Sequence, residues 1–224
     1  MTKKNHIKGA LLMVNGLCMI LAGCEKSEPM TIVCIGDSLT ACGGAGGHYT
    51  DYLQSWLPDC RIVNKGIGGD TLAGGRARFQ TDVLDLKPDI VVLELGANDY
   101  WRASRSTKEL SADLEWMVRQ AKKAGADVVL AGCFGGERYD DSHTPTSDID
   151  RKRQTYAVTI ATAEGKMVDT YGCYYIPDMQ VDIRPNGKAP YWSDNNHPNK
   201  TGNRFVAKRI YAELQKAIRH RKQK

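Results

Sequence analysis

The chain has 224 residues, 42% of them hydrophobic and 25% charged, with a formal net charge of +5. That length and apolar content suffice for one sizeable core, and no internal repeat, low-complexity tract or interdomain linker divides it. No spacing of its seven cysteines resembles a zinc site.

Lys3, Lys4 and Lys8 precede a mostly apolar run from Ala10 to Ala22, interrupted by Asn15 and Gly16. The run is too short for a good membrane span, which needs about 20 apolar residues, and reads as a targeting segment rather than as fold. It ends in Leu21-Ala22-Gly23-Cys24, which resembles the bacterial lipobox, where a leader is cleaved before a cysteine whose thiol takes a lipid. Residues 1–23 are therefore expected to be a leader, Cys24 the lipid attachment and residues 24–29 a polar tether. Several acyl chains on Cys24 would hold an exported protein at a membrane face. The alternative is an ordinary signal peptide in which Cys24 is incidental.

Beyond the tether, strand-like and helix-like stretches alternate, which favours a parallel sheet covered by helices on both faces. The strand candidates are 31–35, 61–65, 90–95, 127–131 and 166–168, short and rich in Val, Ile and Leu as strands buried on both faces should be. Helix candidates cover 49–56, 77–84, 107–124 and 148–163, with a last helix from about Lys200 to Ile218. In the third, Leu110, Leu114, Met117, Val118 and Ala121 make one apolar stripe. Three segments read as loops: the glycine-rich 40–47, the polar 134–147, and 174–192 with Pro177, Pro185 and Pro190. Ligands of open α/β sheets sit beyond the carboxyl ends of the strands, so a site is expected under these loops. Five positive charges in the last nine residues, Lys216, Arg219, Arg221, Lys222 and Lys224, read as a solvated helix end with a basic tail at 219–224; no nucleic-acid partner is expected. An oxidising envelope permits disulfides; Cys34 and Cys133 read as buried thiols, and Cys42 with Cys60 is the pair to test first.

Four short motifs carry chemistry. Gly36-Asp37-Ser38-Leu39-Thr40 sets a serine directly after the first strand. Read alone it is a polar turn whose Asp37 and Ser38 bond local backbone. Asn64-Lys65-Gly66-Ile67-Gly68-Gly69-Asp70-Thr71 follows the second strand, where glycines let a backbone N–H approach a ligand closely. Gly96-Ala97-Asn98-Asp99 ends the third strand, where an asparagine amide can reach the same point. Asp194-Asn195-Asn196-His197-Pro198 sets a carboxylate three residues before a histidine. A serine hydroxyl is a poor nucleophile until a base takes its proton, and the base needs a third group to hold its tautomer.

Together these motifs resemble the GDSL or SGNH hydrolase family over residues 30 to about 215. The stretch Gly69-Asp70-Thr71 followed by Ala77-Arg78-Phe79 is most similar to its thioesterase/lysophospholipase and arylesterase branch. The resemblance implies a flavodoxin-like three-layer αβα sandwich with a five-stranded parallel sheet. It implies Ser38 as nucleophile, His197 as base and Asp194 as its orienting acid, with the Ser38 and Gly69 amides and the Asn98 side chain as oxyanion hole. It implies no metal and no cofactor. Activity is expected to rise as His197 loses its proton.

Two departures from the branch bear on substrate: the glycine-rich stretch 42–47 beside the serine, and the long approach 174–192 to the last motif. Tyr100, Trp101 and Trp192 flank Asn98 and Asp194 and either line an acyl or sugar site or cover core. The expected reaction is cleavage of a carboxylic ester or thioester, and the expected substrate is a small-molecule or glycan acyl ester, either lipid-like or an O-acetyl group on polysaccharide. The polar segments 134–147 and 182–188 favour a wetter site than a long-chain lipase wants. A non-catalytic lipoprotein binding a glycan or peptide is the reading from a different class, and acyl transfer to an alcohol other than water shares the same acyl-enzyme.

Overall fold

A computed structural model of the chain describes residues 28–134, 145–183, 190–194 and 196–223. The leader, Cys24 and most of the tether lie outside the described residues, as do 135–144 and 184–189 of the two polar loops, Asn195 and Lys224.

Five parallel strands form one sheet in the order β2-β1-β3-β4-β5. They are β1 (Met30–Gly36), β2 (Cys60–Gly66), β3 (Ile90–Glu94), β4 (Asp127–Ala131) and β5 (Tyr174–Ile176). The helices are α1 (Ser38–Ala41), α2 (Tyr49–Trp56), α3 (Leu72–Asp82), α4 (Ala97–Arg102), α5 (Thr107–Lys123), α6 (Asp148–Tyr171) and α7 (Lys200–Lys222). Helices α2 and α7 pack together over one face of the sheet, and α3, α5 and α6 pack in series over the other. This is the expected doubly wound sandwich. Every residue of the central strands β3 and β4 is buried, which is why their sequences are near-continuous Val, Ile and Leu. The predicted stripe of α5 faces the core, together with Asp113, whose carboxylate is neutralised by Arg76 at 2.7 Å and Arg105 at 2.6 Å.

Several expectations are corrected. Residues 166–168 are not a strand but the last turns of α6, where Met167 continues the buried series Tyr156, Ala157, Ile160 and Ala163. A three-residue apolar run fits helix and strand equally, and the longer helical stripe decides. The fifth strand lies in the stretch expected to be loop. Helix α3 begins five residues before the expected start: Gly74 and Gly75 weaken the local propensity, but Thr71 caps Gly74 N–H at 3.2 Å and Asp99 accepts Leu72 N–H at 2.8 Å. Cys42 and Cys60 are not joined in a disulfide, and neither are Cys34, Cys133 and Cys173 among the described residues. Arg221 is not a solvated tail residue: its guanidinium reaches Asp89 at 3.0 Å and Asp127 at 3.2 Å, pinning the end of α7 under β3 and β4.

One buried carboxyl makes stability depend on pH. Glu164 of α6 is 2% exposed and takes one hydrogen bond, from the Tyr175 hydroxyl at 3.2 Å. Burial raises its pKa from 4.5 to about 8. The folded state thus holds a proton that the unfolded chain has released, and stability falls as pH rises between these values. Urea unfolding of wild type and Glu164→Gln should show a stability difference that grows in favour of the variant from pH 5 to 9; a constant difference would contradict this assignment.

Candidate active site

The strand order reverses beside β1, so the loops leaving β1 and β3 part to opposite faces and open a crevice at their carboxyl ends. Ser38 and Asn98 lie on the two sides of that crevice. Ser38 is the first residue of α1, whose preceding Asp37 caps Leu39 N–H at 2.9 Å. As a first-turn residue, Ser38 has a backbone N–H without an intrahelical acceptor. Asn98 is the second residue of α4.

Gly69 follows β2. Asp70 N–H closes onto the Ile67 carbonyl at 3.1 Å, and Gly69 occupies the third turn position with φ of 78°. A turn with positive φ at that position calls for glycine. Arg102 holds the Gly69 carbonyl at 2.6 Å, and among the described residues the Gly69 N–H finds no acceptor.

His197 comes from the opposite end of the chain. A narrow loop precedes α7: Trp192 and Pro198 form an antiparallel bridge, Ser193 N–H donates to the His197 carbonyl at 2.9 Å, and Asn199 N–H to the Tyr191 carbonyl at 2.8 Å. Within it Asp194 accepts Asn196 N–H at 2.7 Å, His197 N–H at 2.8 Å and His197 Nδ1 at 2.8 Å. The two backbone donors and the imidazole hold the Asp194 carboxyl down at about 2, so it stays ionised throughout the working range and fixes the proton of His197 on Nδ1. The other ring nitrogen, Nε2, then faces Ser38 Oγ as an acceptor at 2.9 Å. The structure therefore brings Ser38, His197 and Asp194 into one hydrogen-bonded line, with Gly69 and Asn98 on the adjoining strand ends.

Sequence reasoning passed over four supporting side chains. Arg78 of α3 binds the Gly36 carbonyl at 3.0 Å, the Lys65 carbonyl at 2.8 Å and Asp70 at 2.7 Å, tying the ends of β1 and β2 to the Gly69 turn. Its only signal was its place in the stretch 77–79 that marked the branch. Asn203, fully buried in α7, donates to the Cys42 carbonyl at 3.2 Å and the Pro198 carbonyl at 3.3 Å, joining the serine loop to the histidine loop. Glu94 ends β3 completely buried, and Asp37 lies beside it. Burial raises the Asp37 carboxyl to about 6, and burial together with the Asp37 charge raises Glu94 well above the ordinary carboxyl range. An acid inside an otherwise apolar strand was the signal for Glu94. Gly36 is required here, because a Cβ would stand 2.0 Å from Thr40 Oγ1 and 2.6 Å from Glu94 Oε2.

The aromatic neighbours divide. Trp192 is scaffold: its indole N–H donates to the Ile183 carbonyl at 3.0 Å. Trp101 is 46% exposed on α4, with the Arg153 guanidinium 5.1 Å from its ring centre, and Tyr100 packs 5.3 Å from Phe134.

Residues 34–205 match the GDSL-like lipase/acylhydrolase family. An acetylxylan esterase of Geobacillus stearothermophilus is 40% identical over 209 residues, covering 80% of this chain and 91% of that protein. Esterase TesA of Pseudomonas aeruginosa is 34% identical over 134 residues, covering 55% of this chain and 63% of the relative. Uncharacterized lipoprotein YqeF of Bacillus subtilis is 33% identical over 133 residues, covering 53% and 54%. The chain thus spans less than two thirds of the last two relatives. Among solved structures, a crystal structure of TesA superposes with a TM-score of 0.69 at 26% identity, covering 84% of this chain and 99% of that one. With the four motifs at the ends of β1, β2 and β3 and before α7, and with the family match running from β1 into α7, the chain belongs to the GDSL-like lipase/acylhydrolase family.

Proposed function

We propose that the protein is a serine esterase that hydrolyses carboxylic esters through an acyl-enzyme on Ser38. The observation carrying this is the continuous line from Asp194 through His197 to Ser38 Oγ. Ser38 Oγ attacks the ester carbonyl carbon as its proton passes to His197 Nε2. The developing oxyanion takes hydrogen bonds from the Ser38 and Gly69 amides and the Asn98 side chain. Collapse expels the alcohol, which receives the proton from His197, and leaves the acyl group on Ser38. Water then gives a proton to Nε2, attacks the acyl carbon, and the proton returns to Ser38 as the acid departs. The Asp194 charge stabilises the imidazolium in both halves without taking a proton.

For the substrate we infer a short acyl group, with an O-acetylated glycan as the favoured class. The 40% identity to an acetylxylan esterase over 91% of that relative supports this. Cys24 is the proposed lipid anchor, supported by the Leu21-Ala22-Gly23-Cys24 motif and by a relative named as a lipoprotein. An anchor there would enter the domain at the Met30 end of β1, whereas Ser38 follows its other end. The site would then open away from the membrane, toward polymer or soluble ester rather than bilayer lipid.

On p-nitrophenyl acetate, Ser38→Ala should lower kcat by about 10⁴-fold or more with an unchanged circular dichroism spectrum. Asn98→Ala should lower it by about 10²–10³-fold, the usual cost of one oxyanion donor. In a nitrophenyl ester series run beside acetylated xylooligosaccharides, kcat/KM should fall from acetyl to octanoyl esters and acetate should be released from the glycan; a preference for long chains with an inert glycan favours a lipid-like substrate instead. After expression in a bacterial host, wild type should partition into detergent and Cys24→Ser into the aqueous phase, and equal partitioning would remove the anchor.

A further inference from the structure

Two buried acids beneath the serine have no part in the mechanism above. Asp37 and Glu94 are both 0% exposed and lie side by side, the Asp37 backbone N–H donating to Glu94 Oε2 at 3.2 Å. Two neighbouring carboxyls in the interior do not both stay ionised, and burial together with the Asp37 charge raises Glu94 well above the ordinary carboxyl range, so the pair retains one proton. The surrounding groups decide which acid keeps it. Asp37 Oδ1 accepts Leu39 N–H at 2.9 Å and Oδ2 accepts the Asn98 amide nitrogen at 3.0 Å, so each of its oxygens meets a donor. Glu94 Oε2 accepts Asp37 N–H at 3.2 Å and the Thr40 hydroxyl at 3.0 Å, while its Oε1 faces the Cys133 thiol at 3.8 Å. Among the described residues Tyr49 and Cys42 are further titratable neighbours, and neither brings a positive charge. The proton therefore belongs on Glu94 and the charge on Asp37.

That assignment has a consequence for Asn98. A side-chain amide has a donor end and an acceptor end of nearly equal shape, and only its partners decide which way it turns. An ionised carboxylate accepts and cannot donate, so it admits the NH₂ end alone. One hydrogen of Nδ2 is committed to Asp37, and the second is left for a developing oxyanion. With a neutral partner at position 37 the amide could turn over, presenting its oxygen to the oxyanion and repelling it.

We propose that Asp37 is a positioning residue of the oxyanion hole, the charged member of a one-proton pair with Glu94, and that its carboxylate holds the Asn98 amide with Nδ2 toward the reacting carbonyl. This rests on the assignment of Asn98 as an oxyanion donor.

The test is a double-mutant cycle on p-nitrophenyl acetate with wild type, Asp37→Asn, Asn98→Ala and the double variant, each checked by thermal unfolding. Asp37→Asn should lower kcat about tenfold or more while KM stays within about twofold, as expected for an interaction made only in the transition state. In the Asn98→Ala background the same change should cost less than about twofold. Glu94→Gln, which supplies a neutral N–H donor where the protonated acid stood, should retain more activity than Glu94→Ala by about tenfold. Should Asp37→Asn not fold, Asp37→Ser replaces it, because serine keeps the cap on Leu39 without the charge. An equal loss from the Asp37 change in both backgrounds overturns the proposal and leaves the esterase reading intact. A Glu94→Gln variant as impaired as Glu94→Ala overturns the proton assignment. An Asn98→Ala variant of undiminished kcat removes the oxyanion assignment itself, and this proposal with it.

Discussion

The contact between His197 Nε2 and Ser38 Oγ at 2.9 Å joins residues 159 apart in sequence, and the rest of the site is built around it. Neither partner can find the other locally. Ser38 is set by the end of β1, which is paired on both sides and buried, so its position follows from the most constrained strand of the sheet. His197 is set by α7, whose far end is pinned by Arg221 to Asp89 and Asp127 beneath the sheet. The helix thus acts as a strut, fixed at the amino-terminal edge of the strands and delivering its leading loop to the carboxyl edge. Asn203 completes the join from within the helix, with one amide nitrogen shared between the serine and histidine loops.

Charge is distributed unequally over this join. Asp194 lies at the surface, 57% exposed, and its carboxyl is lowered further by the Asn196 and His197 backbone N–H donors and the His197 imidazole. The carboxyls under the serine are in the opposite situation, buried and sharing a proton. Carboxyl groups of the same chemistry are therefore proposed to do different work within one site: solvated Asp194 to hold the base, and the buried Asp37–Glu94 pair to hold the amide that meets the oxyanion. Arg78 belongs to the same underlayer, since its three bonds to the ends of β1, β2 and the Gly69 turn set the spacing of the two backbone amides.

Much of this was legible in the chain because the informative residues sit at strand ends. The first four strands fall within a residue of their expected bounds, since a strand buried on both faces leaves an unbroken aliphatic run. The serine, glycine, asparagine and histidine motifs each follow such a run or precede the last helix, so position and chemistry reinforced one another. The fifth strand was not legible: Tyr174–Ile176 is three residues long at the sheet edge, and its neighbour Met167-Val168 carries a stronger apolar signal that the helix uses. Glu94 and Asn203 were illegible for a different reason. Each is a polar residue whose burial depends on partners distant in sequence, Asp37 and Thr40 for one, Cys42 for the other. For Asn203 nothing in a local window distinguishes it from a solvent-facing position, and for Glu94 the only local hint was the aliphatic run it ends.

The central claim is that the histidine before α7 activates the serine after β1. It is tested most directly by covalent labelling with a fluorophosphonate, read by intact mass and peptide mapping. A single adduct on Ser38, formed rapidly in wild type and slowed by orders of magnitude in His197→Ala, is the result expected. An adduct on another residue, or labelling of Ser38 at the same rate without the imidazole, would contradict it.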